Sequence, residues 1–351
     1  MLNKLKQKIL SNSDTYNYFK NEHAELSRIV TQQQTLIADL TKDLKKHQKE
    51  LDHVKRYNNR FLKSNHNLLK TLYLHYDLQS KGVLKQSFDF GMELLTFFEN
   101  ICKKHDLEFW LDYGTALGAI RHGKHIPWDD DIDIAMMRKD FDAFYSIAQE
   151  EIEANNLNDV LSANLNTQNE ENNILTFLQF SYRLKDISPR VTLGYIDIFP
   201  YDYIDYSNLT EEKYTEVRTK YYYEVFENGA KKALNDYLNT MNIKYDGDKF
   251  IIPGPENPRG LNEIYPFKIS KNNTIFPLKK AKFWNKLLPI PNNIDRYLKD
   301  IYGNYTDIPE FVRHHSIVHK AQKNPNIKNL YDDAIKRIKQ VNTAYCDSLK
   351  T

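Results

Sequence analysis

From Leu26 onward, apolar residues recur at alternating steps of three and four. The seam runs through Val30, Gln33, Ile37, Leu40, Leu44, His47, Leu51, Val54, Asn58, Phe61, Asn65, Leu68 and Leu72. Fourteen positions keep one register and ten of them are apolar. A heptad held over this length predicts a coiled coil rather than a surface helix. The polar seam positions weaken it and are of the kind that set register and partner number. No proline occurs in residues 1–80, and the first glycine is Gly82. Residues 1–82 are therefore expected to form a helical segment that self-associates as a parallel dimer or trimer. The competing reading is a long helix that folds back on its own domain.

Beyond Val83 the pattern shortens. Phe88–His105 carries helical spacing, with Leu94, Leu95, Phe98 and Ile101 inward. Glu108–Asp112 reads as a short strand, followed by a Gly-Thr turn and a helix of small residues. The run "DIDIAM" alternates acid and apolar, as a strand with one polar face does. Helical spacing resumes in "KDFDAFYSIAQEEIEAN". Two more strands are expected in "ILTFLQFSYRLKD" and "TLGYIDIFPYDYI". Residues 208–240 read as helix. Residues 251–293, rich in Pro and Asn, read as irregular and ligand-facing, and a last helix covers Asp332–Ser348. Strands and helices mix without βαβ regularity, which predicts an α+β fold over 83–351.

Composition narrows the function classes. In 351 residues, 49 basic side chains balance 47 acidic ones, for a net charge of +2, which gives no support to a nucleic-acid binder. Cys102 and Cys346 stand far apart and in no metal-type spacing, so neither a disulfide framework nor a cysteine zinc site is expected. No signal peptide and no transmembrane run is read, and the expected location is cytoplasmic. Leu2, Leu5 and Ile9 among Lys4, Lys6 and Lys8 form a short basic amphipathic turn, a candidate for peripheral contact with the inner face of a membrane.

The chemistry concentrates in the acids. On a strand, Asp131 and Asp133 point to the same side, and Ile132 and Ile134 anchor the other. Two carboxylates so placed repel unless something positive sits between them. A hard divalent cation, Mg²⁺ or Mn²⁺, suits oxygen ligands, while His122 and His125 nearby leave zinc open. Asp197 interrupts another apolar strand and is costly there unless paired or metal-bound. Three converging carboxylates are what metal-assisted phosphoryl transfer requires. The plain alternative is a solvated turn, Asp129–Asp131, after Pro127. Gly114 and Thr115 open a helix and could meet an anion with backbone amides and a hydroxyl. Arg121, His122 and Lys124 supply positive charge between that turn and the acids. Arg183, Lys185 and Arg190, and the run Arg313, His314, His315 and His319, are weaker phosphate candidates. Tyr221, Tyr222 and Tyr223 are considered as an aromatic cage for a choline headgroup, with core or surface packing as the alternative.

With these residues in view, the chain resembles the LicD/fukutin family, phosphotransferases of the nucleotidyltransferase superfamily. The resemblance rests on "YGTALGAIRHGKHIPWDDDIDIAM" (Tyr113–Met136), the "RKDFDAF" after it, "IDIFPYD" (Ile196–Asp202) and "IPNNIDRYLKDIYGNYTDIP" (Ile290–Pro309). It spans roughly residues 88–320 and leaves out the heptad segment. It implies a nucleotidyltransferase-like mixed sheet with flanking helices. It also implies metal ligands at Asp131, Asp133 and Asp197, a Gly-Ser/Thr turn at Gly114 and Thr115, and matched positions at Trp128 and Asp129. The implied reaction moves a phospho-alcohol (phosphocholine, ribitol phosphate or glycerol phosphate) from a CDP-activated donor to a hydroxyl of a bacterial cell-surface glycan or teichoic-acid-type acceptor, releasing CMP. Asp197 is the candidate base. Two other readings are carried: a nucleotidyltransferase moving a nucleoside monophosphate, and a non-catalytic coiled-coil scaffold in glycan assembly.

Overall fold

The computed structural model describes all residues except 11–12, 77–78, 166–176, 185–190, 206–207, 258–266, 308–317, 319–320 and 349–351. The chain divides into two compact units, Met1–Tyr76 and Asp77–Thr351.

The first unit holds α1 (Leu2–Leu10) and α2 (Ser13–His75). With no Pro or Gly to interrupt it, α2 runs 63 residues, about 95 Å at 1.5 Å per residue. Its seam is not covered: Leu26, Val30, Ile37, Leu40, Leu44 and Leu51 are all exposed. Among the described residues, no helix is long and apolar enough to cross a membrane.

The second unit is α+β, as the pattern predicts. It contains α3 (Gly82–Lys104), β1 (Trp110–Leu111), α4 (Tyr113–His122), β2 (Ile132–Met137), α5 (Arg138–Ala154), β3 (Leu161–Leu165), β4 (Leu178–Leu184) and β5 (Val191–Ile204). Then follow α6 (Glu211–Asn228), α7 (Ala230–Thr240), β6 (Phe250–Pro253), β7 (Ser270–Lys271), α8 (Asn272–Ile275), β8 (Lys279–Phe283), β9 (Lys286–Ile290), α9 (Ile294–Tyr302) and α10 (Ile327–Ser348). The main sheet has the order β1-β2-β5-β4-β3. Long β5 pairs with β4 along its first half and with β6 along its last residues. β2 and β5 run parallel, and the other pairings are antiparallel. One face of the sheet is largely apolar: Ile132, Ile134, Phe180, Ile196 and Ile198 lie in the main core with Phe97 and Phe98 of α3, Phe141 and Phe144 of α5 and Tyr331 and Ile338 of α10. Burying that face leaves the alternate residues of the same strands on the other side.

Several elements differ from the sequence expectation. The strand expected at Glu108–Asp112 shortens to two residues because Asp112 caps α4, accepting from the Tyr113 N–H at 2.8 Å. Gly114 and Thr115 belong to the first turn of that helix rather than to a free turn. The helix of 208–240 breaks at Gly229, whose φ of +86° lies in the region that favours glycine. The stretch 251–293 is not irregular throughout. It contributes β6, β7, α8 and a two-stranded sheet of β8 and β9, where Pro289 and exposed lysines are tolerated because, among the described residues, no third strand pairs with them. The last helix starts five residues early, at Ile327.

Candidate active site

Parallel register places Asp133 of β2 directly beside Asp197 of β5. Asp131 comes just before β2. Ligand oxygens of Asp131, Asp133 and Asp197 lie within 4.8 Å of one another, and among the described residues this is a possible cation-holding group made of carboxylates alone. Asp131 and Asp133 are half-buried and Asp197 is buried. Burial pushes Asp133 well above the usual carboxylate range, and Asp131, Asp129, Asp197 and Asp112 push it further. Burial and then Asp131 raise Asp197. Asp129 is raised by burial and by Asp131 and Asp130. Burial and the same acids raise the Tyr195 phenol. Such a cluster stays ionised only with a compensating charge, and an all-oxygen donor set fits a hard cation such as Mg²⁺ or Mn²⁺.

The supports of the cluster are local. The Gly114 N–H donates to Asp133 Oδ2 at 3.1 Å, and the Asp133 N–H donates to Thr115 Oγ1 at 2.8 Å. A Cβ at Gly114 would overlap the Asp129 carboxylate, so the helix start must be glycine for that acid to come so close. Gln179, opposite Asp197 on β4, donates from Nε2 to Asp197 Oδ1 at 3.0 Å. Asp112 is fully buried and accepts from the Tyr201 hydroxyl at 2.8 Å and the Tyr297 hydroxyl at 2.6 Å. Tyr113 holds a φ of +35°, a strained value for a residue with a side chain. Its hydroxyl bonds Asn257. The loop carrying Asn257 is held by buried Arg218, which donates to the Pro255 carbonyl at 2.9 Å, and by Arg138 through Glu256 at 2.7 Å.

The basic candidates spread out. Arg121 and His122 occupy the last turn of α4, about 10 Å along the helix from Gly114. Burial lowers His122 to about 4, with Arg121 and Lys124 adding to the effect. Lys124 sits over the Trp284 indole at 5.8 Å. Arg183 is exposed on β4 and donates to Thr192 Oγ1 at 3.3 Å. Trp128 is half-buried, and Asp130 accepts from the Val318 N–H at 3.0 Å. Lys185, Arg190, Arg313, His314, His315 and His319 lie outside the described residues. The tyrosine run forms no cage: Tyr221 packs in a core with Tyr237, the Tyr222 hydroxyl bonds Arg218 at 2.8 Å and Tyr223 is exposed.

His125 is not a metal candidate here. It is buried, stacks on Phe88 and accepts at Nδ1 from Trp284 Nε1–H at 2.8 Å. Indole only donates, so this bond requires Nδ1 unprotonated. Burial lowers its pKa to about 3. Its folded value lies below the unfolded one near 6.5, so the unfolded chain takes the proton first as pH falls. Stability from this residue is therefore complete above about pH 6.5 and is lost toward pH 3, at about 1.4 kcal/mol per pH unit. His125→Gln keeps an acceptor for the indole and does not titrate. Urea unfolding between pH 6.5 and 4 is expected to show a shallower acid limb in that variant; equal slopes would refute the assignment.

Residues 106–231 match the family model described as LicD/FKTN/FKRP, nucleotidyltransferase domain. A 56-residue stretch is 39% identical to the lipopolysaccharide cholinephosphotransferase LicD of Haemophilus influenzae, over 16% of this chain and 21% of that protein. Stretches of 48 residues are 40% identical to uncharacterized proteins of Rickettsia prowazekii and Rickettsia typhi, over 14% of this chain and 18% and 16% of those proteins. The matched stretches thus span about a fifth of the length of these curated relatives.

Proposed function

The chain carries a domain of the LicD family, and from that premise we propose that it is a phosphotransferase moving a phospho-alcohol from a CDP-activated donor to a glycan hydroxyl. The observation that carries the reading is the meeting of Asp131, Asp133 and Asp197 across β2 and β5. These three would hold one or two Mg²⁺ or Mn²⁺ ions. Bound there, the cation would neutralise the diphosphate oxygens and align the attacking and departing oxygens. The remaining work belongs to the chain. Gly114 and Thr115 keep Asp133 in place, and Gln179 ties down Oδ1 of Asp197. The acceptor oxygen forms the new bond to the distal phosphorus. The bond from that phosphorus to CMP breaks, and CMP leaves with the electron pair. The acceptor proton passes to a carboxylate, for which Asp197 is our candidate.

The test is CMP release by the full chain offered CDP-choline, CDP-glycerol and CDP-ribitol separately, each with Mg²⁺ and with EDTA. Metal-dependent CMP from one donor is expected. Release of pyrophosphate from a nucleoside triphosphate would favour transfer of a nucleoside monophosphate instead. In the same assay Gly114→Ala is expected to lose about 100-fold, the scale of a misplacement near 1 Å at a reacting centre, because its methyl displaces Asp129. A loss of under threefold would contradict that account.

The N-terminal unit supports self-association. Parallel, in-register pairing puts Asn58 and Asn65 of one copy against the same residues of the other, and puts Glu50 across from Lys55. Sedimentation of the full chain at twice its mass is expected, and Ile37→Lys with Leu44→Lys is expected to return it to a monomer. A monomeric parent chain would rule the pairing out.

A further inference from the structure

We propose that a cavity at the start of α3 binds a small organic anion, with a carboxylate or phosphate head on a flat apolar body; the proposal does not depend on the phosphotransfer reading. The cavity holds about 190 Å³ and lies within the second unit. Three segments enclose it: the residues leading into α3, the loop that follows α4 and the β8–β9 turn. Leu84, Phe88, Pro127 and Trp284 give it apolar walls. None of the three acids lines it.

The polar groups around the cavity are mostly donors. Lys81 and Lys124 are its ionic groups, and no carboxylate lines it. Lys81 is also the N-cap of α3, where no side chain accepts from the backbone and the first turn holds no acid. A 23-residue helix begun in this way presents its unmet N–H groups and the positive end of its dipole there. His125 supplies an independent sign. Its Nδ1 accepts from the Trp284 indole, so the neutral ring carries its proton on Nε2. That N–H has no acceptor among the described residues, although His125 is only 4% exposed and lines the cavity. A donor so buried is costly until an acceptor meets it. Two ammonium groups, a helix start and an imidazole N–H suit a negative head, and the walls suit a ring. The volume falls below the roughly 300–1,000 Å³ of sites for drug-sized ligands. It is too small for a CDP-alcohol and large enough for a ring bearing one acidic group. A choline headgroup would face the two lysines.

The test is calorimetric titration of the full chain in EDTA with phenyl phosphate, benzoate, inorganic phosphate and choline in turn. Without a divalent cation the acid cluster repels anions and does not compete for these probes. Saturable binding of phenyl phosphate or benzoate is expected, at least tenfold tighter than inorganic phosphate, with choline unbound. Whichever of the two binds more tightly identifies the head as phosphate or carboxylate. Lys81→Gln with Lys124→Gln is expected to lose at least tenfold in affinity. Ser80→Glu brings a carboxylate to the cavity and to the positive end of α3. It is expected to lose as much while its melting temperature holds or rises, which separates lost binding from lost folding. Asp133→Asn should bind like the parent chain. No saturable binding of either aromatic anion overturns the proposal. So does binding that ignores both cavity variants, and so does inorganic phosphate or choline held as tightly as the aromatic anions.

Discussion

Asp133→Asn is expected to lower phosphotransfer by more than about 1,000-fold, since loss of a cation ligand removes several kcal/mol of charge stabilisation. Its melting temperature should stay level or rise. The amide oxygen of Asn can still accept from the Gly114 N–H. The variant also removes one charge from a group in which burial and Asp131, Asp129 and Asp197 all disfavour ionisation. Activity and stability thus move apart, which a merely structural carboxylate would not produce. Paired measurements of CMP release and thermal unfolding decide the matter. A variant that keeps activity within a few fold would show that Asp133 is not a ligand. One that loses both together would make it a structural residue.

Arg138→Met is expected to destabilise the second unit by about 3–5 kcal/mol, the cost of breaking a buried pair by removing one partner. Arg138 is 1% exposed and bonds Asp202 at 2.8 and 3.1 Å and Glu256 at 2.7 and 2.9 Å. Even with the guanidinium beside it, burial raises the Asp202 carboxyl above its ordinary value, so that carboxylate depends on its partner. Glu256 and Asn257 are adjacent, and Asn257 bonds Tyr113 at the head of α4. The damage should therefore reach the site as well. Urea denaturation of the variant against the parent chain measures it, and a difference under about 1 kcal/mol would contradict the account.

The acids were legible because their signal is local. Alternation in "DIDIAM" shows which side Asp131 and Asp133 take, and an acid inside the apolar run around Asp197 marks itself by its cost. The long N-terminal helix was legible for the same reason, as a helical period with no Pro or Gly to break it. What escaped notice depends on pairing between distant segments. Gln179 meets Asp197 only through the antiparallel register of β4 and β5. Asp112 looked like a strand end, yet it is a buried cap held by Tyr201 and Tyr297, 89 and 185 residues away. Arg138 and Glu256 are 118 residues apart. Lys124 is near the acids in sequence, and the β8–β9 turn also brings Trp284 to it, which no local pattern shows. The Gly114–Thr115 pair was singled out as a place to meet an anion, and its described bonds hold Asp133.

Calorimetric titration of Mn²⁺ into the full chain at neutral pH decides whether the three acids form one divalent-cation centre. Saturable binding is predicted in the parent chain, weakened at least 100-fold in Asp131→Asn, Asp133→Asn and Asp197→Asn alike. Binding that survives all three substitutions, or no saturable binding in the parent, would contradict it.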